Sequence, residues 1–219
     1  MKLPPALVVL SPGNLTPEDL RGPSGDRRAA ARLCAVAKAL ASGGGLLLRE
    51  PDLDDRSLFS LGCELAARLG PNGWLGIHDR IHLAGACDAD AVHLGFRSLA
   101  PKAARSCVGE KIAIGFSSHA DEEQCASLGA DYRFVSPVKA VPSKGKPLGL
   151  DGLGREGARH SVPYWALGGL GAQDANAVAG AGAHGLAVRG AVFGSDKPLQ
   201  AVDELLRACA VFPNSTGGS

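Results

Sequence analysis

Eight short, nearly continuous apolar runs punctuate the chain: Ala6–Leu10, Gly45–Leu48, Trp74–Ile77, Ala91–Leu94, Ile112–Phe116, Tyr132–Val135, Val162–Leu167 and Gly185–Val188. None alternates cleanly between apolar and polar residues, which is the pattern of strands covered on both faces. Between them lie stretches rich in Ala, Leu, Glu and Arg, notably Arg27–Ser42, Arg56–Leu69 and Leu199–Cys209, which read as helices. Thr16-Pro17-Glu18-Asp19 has the form of an N-cap, a first-turn proline and first-turn acids, and Asp121–Leu128 also loads its acids at a helix start. Parallel strands need a crossover each time, so this alternation predicts a (β/α)8 barrel over residues 1–212 with a flexible tail at 213–219. A doubly wound open sheet has the same alternation and is the alternative, because a linear pattern does not report closure.

Two connections break the rhythm. Lys139 to Leu153 is too rich in Gly and Pro for a helix and reads as a long loop after the sixth strand, where lids and binding loops are found. Arg21 to Asp26 is a second irregular stretch without identifiable chemistry.

Composition narrows the function classes. The 219 residues are 45% hydrophobic and 21% charged, ordinary values for a globular protein, and the formal charge of +1 with two Trp, two Tyr and six Phe argues against a nucleic-acid partner. No apolar run approaches the ~20 residues that cross a bilayer, so no membrane association is expected. Met1–Leu10 is too short in its apolar part, and too poor in cleavage-site residues, for a signal peptide and reads better as a first strand. Six scattered cysteines without a Cys-x-x-Cys pair fit small buried residues in a reducing compartment, so the expected location is cytoplasmic.

The candidate chemistry lies just after the apolar runs, where a barrel gathers its active site. It comprises Arg49-Glu50, His78-Asp79-Arg80, His93-Leu94-Gly95, Ser117-Ser118-His119, Ser136-Pro137 with Lys144, Gly168-Gly169 and Arg189-Gly190. Gly168, Gly169 and Gly190 follow the last two strands, where glycine lets backbone N–H groups approach a phosphate; a tight turn is the plainer account of the same residues. Arg189 would strengthen an anion site. His119 suits proton transfer near neutrality, although a strand-end histidine also serves as a structural hydrogen-bonder. His93, flanked by Val92 and Leu94, reads as structural, and Asp79 is a lone carboxylate that could take Mg2+ or an ion pair.

From about Gly44 to Leu206 the chain resembles the thiamine phosphate synthase superfamily, which includes thiazole tautomerases of the TenI type. The residues that carry the resemblance are Leu47-Leu-Arg-Glu50, His78-Asp-Arg-Ile-His-Leu-Ala84, Asp90-Ala-Val-His-Leu-Gly95, Ile114-Gly-Phe-Ser-Ser-His119, Gly129-Ala-Asp-Tyr132, Ala166-Leu-Gly-Gly169 and Ala183-His-Gly-Leu-Ala-Val188. The resemblance implies a barrel that handles a small phosphorylated thiazole, with a homodimer as a possible assembly. It places the phosphate at Gly168, Gly169 and the backbone from Val188 to Gly190, with Arg49, Ser117 and Lys144 also toward substrate.

The synthase branch joins the thiazole to an aminopyrimidine that carries a pyrophosphate leaving group, with Mg2+ on the pyrophosphate. Against that pattern Leu47 and Pro51 replace a Gln and a Lys, His78 replaces an Asn, and Ser98 replaces the second metal Asp, while Arg49, Glu50, Asp79 and Lys144 are kept. Arg97-Ser98 also resembles tautomerase-type members, in which the histidine at the position of His119 shuttles a proton. The favoured expectation is therefore a cofactor-free thiazole tautomerase-like isomerase using His119. A divergent synthase with Mg2+ on Asp79 is the alternative, and a non-catalytic thiazole or thiamine phosphate binder is the third.

Overall fold

Eight parallel strands close on themselves in chain order: β1 (Leu7–Leu10), β2 (Gly45–Leu48), β3 (Trp74–His78), β4 (Ala91–Leu94), β5 (Ala113–Ser118), β6 (Tyr132–Val135), β7 (Tyr164–Leu167) and β8 (Gly185–Val188). Closure runs through β8 and β1, paired at Val8 and Ala187, so the expected (β/α)8 barrel is the fold and the open sheet is excluded. The structure is a computed structural model and describes residues 1–20, 27–95, 97–118, 129–142, 144–159 and 161–213. The expected helix at Asp121–Leu128 and the irregular stretch at Arg21–Asp26 lie outside the described residues.

The apolar runs are continuous because the barrel buries both faces of every strand. Leu7 and Val9 face the helices, whereas Val8 and Leu10 face the interior, and the same period of two separates Leu46 and Leu48 from Leu47. Trp74, Tyr132, Phe134 and Trp165 fill the interior. Glycine makes room for them: a methyl group on Gly76 would come within 2.6 Å of Trp74 Cη2, and one on Gly185 within 2.4 Å of Trp165 Nε1. Both indoles find acceptors in the first residues of the chain, Trp74 Nε1 at Lys2 O (3.2 Å) and Trp165 Nε1 at Pro5 O (2.8 Å), so the N-terminal segment plugs the lower end of the barrel.

Among the described residues the helices of the outer layer are α1 (Arg28–Leu40), α2 (Asp55–Leu69), α3 (Ile81–Ala84), α4 (Pro101–Val108), α5 (Gly149–Ala158), α6 (Ala175–Gly180), α7 (Gly190–Phe193) and α8 (Pro198–Ala208). Asp54 caps α2 by accepting from Ser57 N at 2.8 Å. Thr16 and Pro17 open only a single 3-10 turn, Pro17–Leu20, held by Asp19 Oδ2 on Thr16 N and Oγ1. The loop expected from Lys139 to Leu153 is shorter than its composition suggests, because α5 begins at Gly149. Packing overrides the poor helix propensity of four glycines: Leu153 is fully buried, and Gly157 lies so close to the Tyr164 ring that a methyl group there would come within 2.2 Å of it.

Arg133 is the one charged side chain fully buried in the outer layer among the described residues, donating to Glu156 O (3.4 Å) and Gly157 O (3.2 Å) beside the Glu156 carboxylate. No helix among the described residues is long and apolar enough to cross a membrane.

Candidate active site

The period of two that fills the barrel also delivers the site. The inward rails of β3, β4 and β5 carry His78, His93 and Ser117 toward the carboxyl-terminal ends of their strands, and those of β2 and β8, continued one residue past the strand ends, reach Arg49 and Arg189. These five line one cavity of 1330 Å3. Asp79, Lys144, Gly168, Gly169, Val188 and Gly190 line it too, whereas Glu50, Arg80 and Ser136 from the same sequence candidates do not. His119 lies outside the described residues.

One wall is cationic. A methyl group on Gly13 would lie 3.6 Å from Arg49 Nη1 and 3.7 Å from Arg189 Nη1, so the loop after β1 rests against both guanidinium groups. Partial burial, then the charges of Arg189 and Arg49, push the Lys144 pKa down. Lys144 Nζ reaches Ser136 Oγ at 3.4 Å, and none of the three cations has a carboxylate partner among the described residues. Glu50, next to Arg49, points the other way. Its buried carboxylate accepts from Gly13 N and Leu15 N at 2.8 Å each and fixes the loop that borders the arginines. Ser11 Oγ accepts from Arg49 N at 2.8 Å and completes that anchor.

Asp79, which follows β3 next to the strand that delivers Arg49, has its backbone in the left-handed region at φ 60. Its Oδ2 lies 3.1 Å from His78 Nδ1, and its Oδ1 accepts from Ser98 Oγ, which itself accepts from Gly95 N at 2.7 Å. Burial opposes ionisation of Asp79, but the hydrogen bonds from His78 and Ser98, the charge of His78 and the Gly95 N–H outweigh it and bring its pKa down to about 2. Arg80 turns outward instead and pairs with Asp55.

These donors do not fit a magnesium ion held by the protein. Both Asp79 oxygens are engaged, Ser98 offers a hydroxyl where a second carboxylate would be needed, and no cluster of three or more His, Cys, Asp or Glu suited to a metal exists among the described residues.

The glycine turn after β7 has a packing reason of its own. Gly168 and Gly169 have φ of 108 and 69, and methyl groups on them would come within 2.9 Å of Pro137 Cα and 2.8 Å of Lys139 Cβ. The loop after β6 therefore lies on this turn, pinned by Lys139 N to Gly168 O (3.0 Å) and by Lys139 Nζ to Asp174 Oδ1 (2.7 Å).

At the floor, His93 is in its strand as expected but does more than fill it. Its Nε2 is 3.0 Å from Ser117 Oγ and its Nδ1 is 3.3 Å from Tyr132 OH, with the Phe134 ring 4.3 Å away. Burial, then the charge of His78, depresses its pKa well below the usual histidine value, so the ring is neutral.

The model of the thiamine monophosphate synthase family matches residues 23–192. This chain belongs to that family. A thiamine-phosphate synthase from Azorhizobium caulinodans is 37% identical over 190 residues, covering 82% of this chain and 90% of that protein. One from Desulfitobacterium hafniense is 36% identical over 183 residues, covering 80% and 87%. A solved structure described as a thiamine phosphate pyrophosphorylase from Pyrococcus furiosus superposes with a TM-score of 0.75 at 26% identity, covering 96% of each chain. These family relatives carry the synthase name, which favours the synthase alternative over the tautomerase that was ranked first from sequence.

Proposed function

We propose that this family member is a transferase of the thiamine phosphate synthase type, joining a thiazole phosphate to an aminopyrimidine that carries pyrophosphate. The thiazole nitrogen lone pair forms a bond to the carbon of the aminopyrimidine that carries the pyrophosphate, and the leaving pyrophosphate takes the electron pair of the broken C–O bond. The observation that carries this reading is the wall of Arg49, Lys144 and Arg189, which has no carboxylate partner among the described residues, around a cavity of 1330 Å3. A single small phosphate ester needs neither three cations nor a space above the ~300–1,000 Å3 of an ordinary ligand pocket. Two substrates, one with a phosphate and one with a pyrophosphate, need both. The names of the relatives support the same reading.

The assay is to incubate the protein with both substrates and quantify thiamine phosphate and pyrophosphate, with Lys144→Ala as the control expected to lose at least ~10-fold in kcat/KM. Ser98 and the occupied oxygens of Asp79 favour the metal-independent isomerase as a second reading. Aromatisation of the thiazole tautomer by a protein that makes no thiamine phosphate, with or without Mg2+, would establish that reading and refute the transferase.

A further inference from the structure

The hydrogen bonds at the cavity floor have only one arrangement that leaves no buried donor unmatched. The Tyr132 hydroxyl is sealed inside the barrel and its sole hydrogen-bond partner among the described residues is His93 Nδ1. Neutral imidazole has one N–H and one lone pair. If Nδ1 carried the proton, the phenol would have to accept it, and its own proton would be enclosed without an acceptor, which folded proteins avoid. With the phenol donating to Nδ1, the imidazole proton sits on Nε2 and donates to Ser117 Oγ at 3.0 Å. The hydroxyl proton of Ser117 then has no acceptor among the described residues, and Ser117 lines the cavity.

The sequence makes space for this arrangement. A methyl group on Gly115 would lie 2.1 Å from Tyr132 Cζ and 2.5 Å from His93 Nδ1, so the phenol and the imidazole meet in the volume that the glycine leaves empty. Phe134, at 4.3 Å between ring centres, limits rotation of the imidazole.

We infer that His93, fixed as its Nε2–H tautomer by Tyr132, is a positioning residue that commits Ser117 to donate its hydroxyl proton to an acceptor atom of the bound ligand. The ligand atom at the floor is a ring nitrogen or a phosphate oxygen. Its partner on the protein is a donor whose direction is set two residues away.

The first arm of the test uses no ligand. Nitrogen-15 spectra of histidine-labelled protein should show His93 protonated at Nε2 and unprotonated at Nδ1, with His93→Gln assigning the signals. Protonation at Nδ1 overturns the inference. The second arm measures thiamine phosphate binding by calorimetry and rests on the transferase reading, whereas the first does not. Ser117→Ala and His93→Leu should each weaken binding ~10-fold, and the double variant should be no weaker than Ser117→Ala alone. His93→Gln keeps an N–H at the Nε2 position and should stay within about threefold of the parent. Additive losses, or a His93→Gln as weak as His93→Leu, would show a purely structural role. If the parent binds no thiamine phosphate, the transferase reading is the one in trouble and the tautomer decides the inference by itself.

Discussion

Arg189→Gln should make the empty protein more stable and the pyrophosphate complex less so. The nitrogens Arg49 Nη1 and Arg189 Nη1 each lie within 3.7 Å of the same point beside Gly13, which puts them at most about 7 Å apart. At that separation two like charges repel by about 2 kcal/mol at an effective dielectric of 20 and by about 0.6 kcal/mol in water. Both side chains are open to solvent, so about 1 kcal/mol is the appropriate relief, worth roughly 2–4 °C in Tm for a chain of this size. A pyrophosphate in the cavity reverses the balance, because loss of one charge-assisted contact costs about 1.5–3 kcal/mol, or roughly 10- to 150-fold in Kd. Thermal melts over a titration of inorganic pyrophosphate would read both effects at once, since stabilisation follows RT ln(1 + [L]/Kd). The curves for parent and variant should cross. A variant that melts below the parent without ligand, or that gains as much from pyrophosphate, would refute the reading of an uncompensated anion site.

Three further outcomes follow from the same geometry. Ser98→Asp restores a second carboxylate beside Asp79 and should produce saturable Mg2+ binding by calorimetry in the absence of pyrophosphate, where the parent shows none. The Asp79 carboxyl is held at about 2 in the folded chain, below its ordinary 3.8, so its stabilising contribution is complete above about pH 4 and is lost as the pH falls toward about 2. Asp79→Asn should remove that part of the acid sensitivity, checked by urea midpoints at about pH 5 and about pH 2.5. Gly115→Ala drives a methyl group into Tyr132 and His93 and should cost about 3 kcal/mol, seen as a Tm drop of roughly 6–12 °C.

The barrel is legible in sequence because burial on both faces writes each strand as an apolar run, and eight such runs with helices between them leave few topologies. The loop after β6 is less legible. Glycine discourages helix locally, and the burial of Leu153 with the close fit of Gly157 under the Tyr164 ring, neither visible in the sequence, holds α5 in place. Arg49 and Glu50 illustrate the same limit at the site. As neighbours they look like one charged pair, yet strand alternation turns Arg49 into the cavity and Glu50 onto backbone N–H groups from the loop after β1. His93 reads as structural for the opposite reason, since a histidine between Val92 and Leu94 does not reveal its face until the register with Gly115 is known. The signal that could have found it is the period of two: His93 shares its inward rail with Ala91, and Ser117 shares one with Gly115.

The departures from the synthase pattern are coupled rather than scattered. Leu47, Pro51, His78 and Ser98 belong to the strand ends and loops of β2 to β4, whereas Lys144 and the glycines after β6 to β8 are retained. His78 Nδ1 takes one oxygen of Asp79 and Ser98 Oγ donates to the other, so the two substitutions together turn a carboxylate that could face a metal into one satisfied within the protein. An asparagine at 78 and an aspartate at 98 would instead leave negative charge looking into the cavity. Asp79 keeps its charge but has both oxygens engaged within the protein, while Arg49, Lys144 and Arg189 present the cationic surface that the proposed transferase would turn toward pyrophosphate. On the transferase reading the residues Lys144, Gly168, Gly169 and Gly190 match the synthase pattern and His78 and Ser98 depart from it, so substitutions in the two sets should act separately on anion binding and on Mg2+ binding.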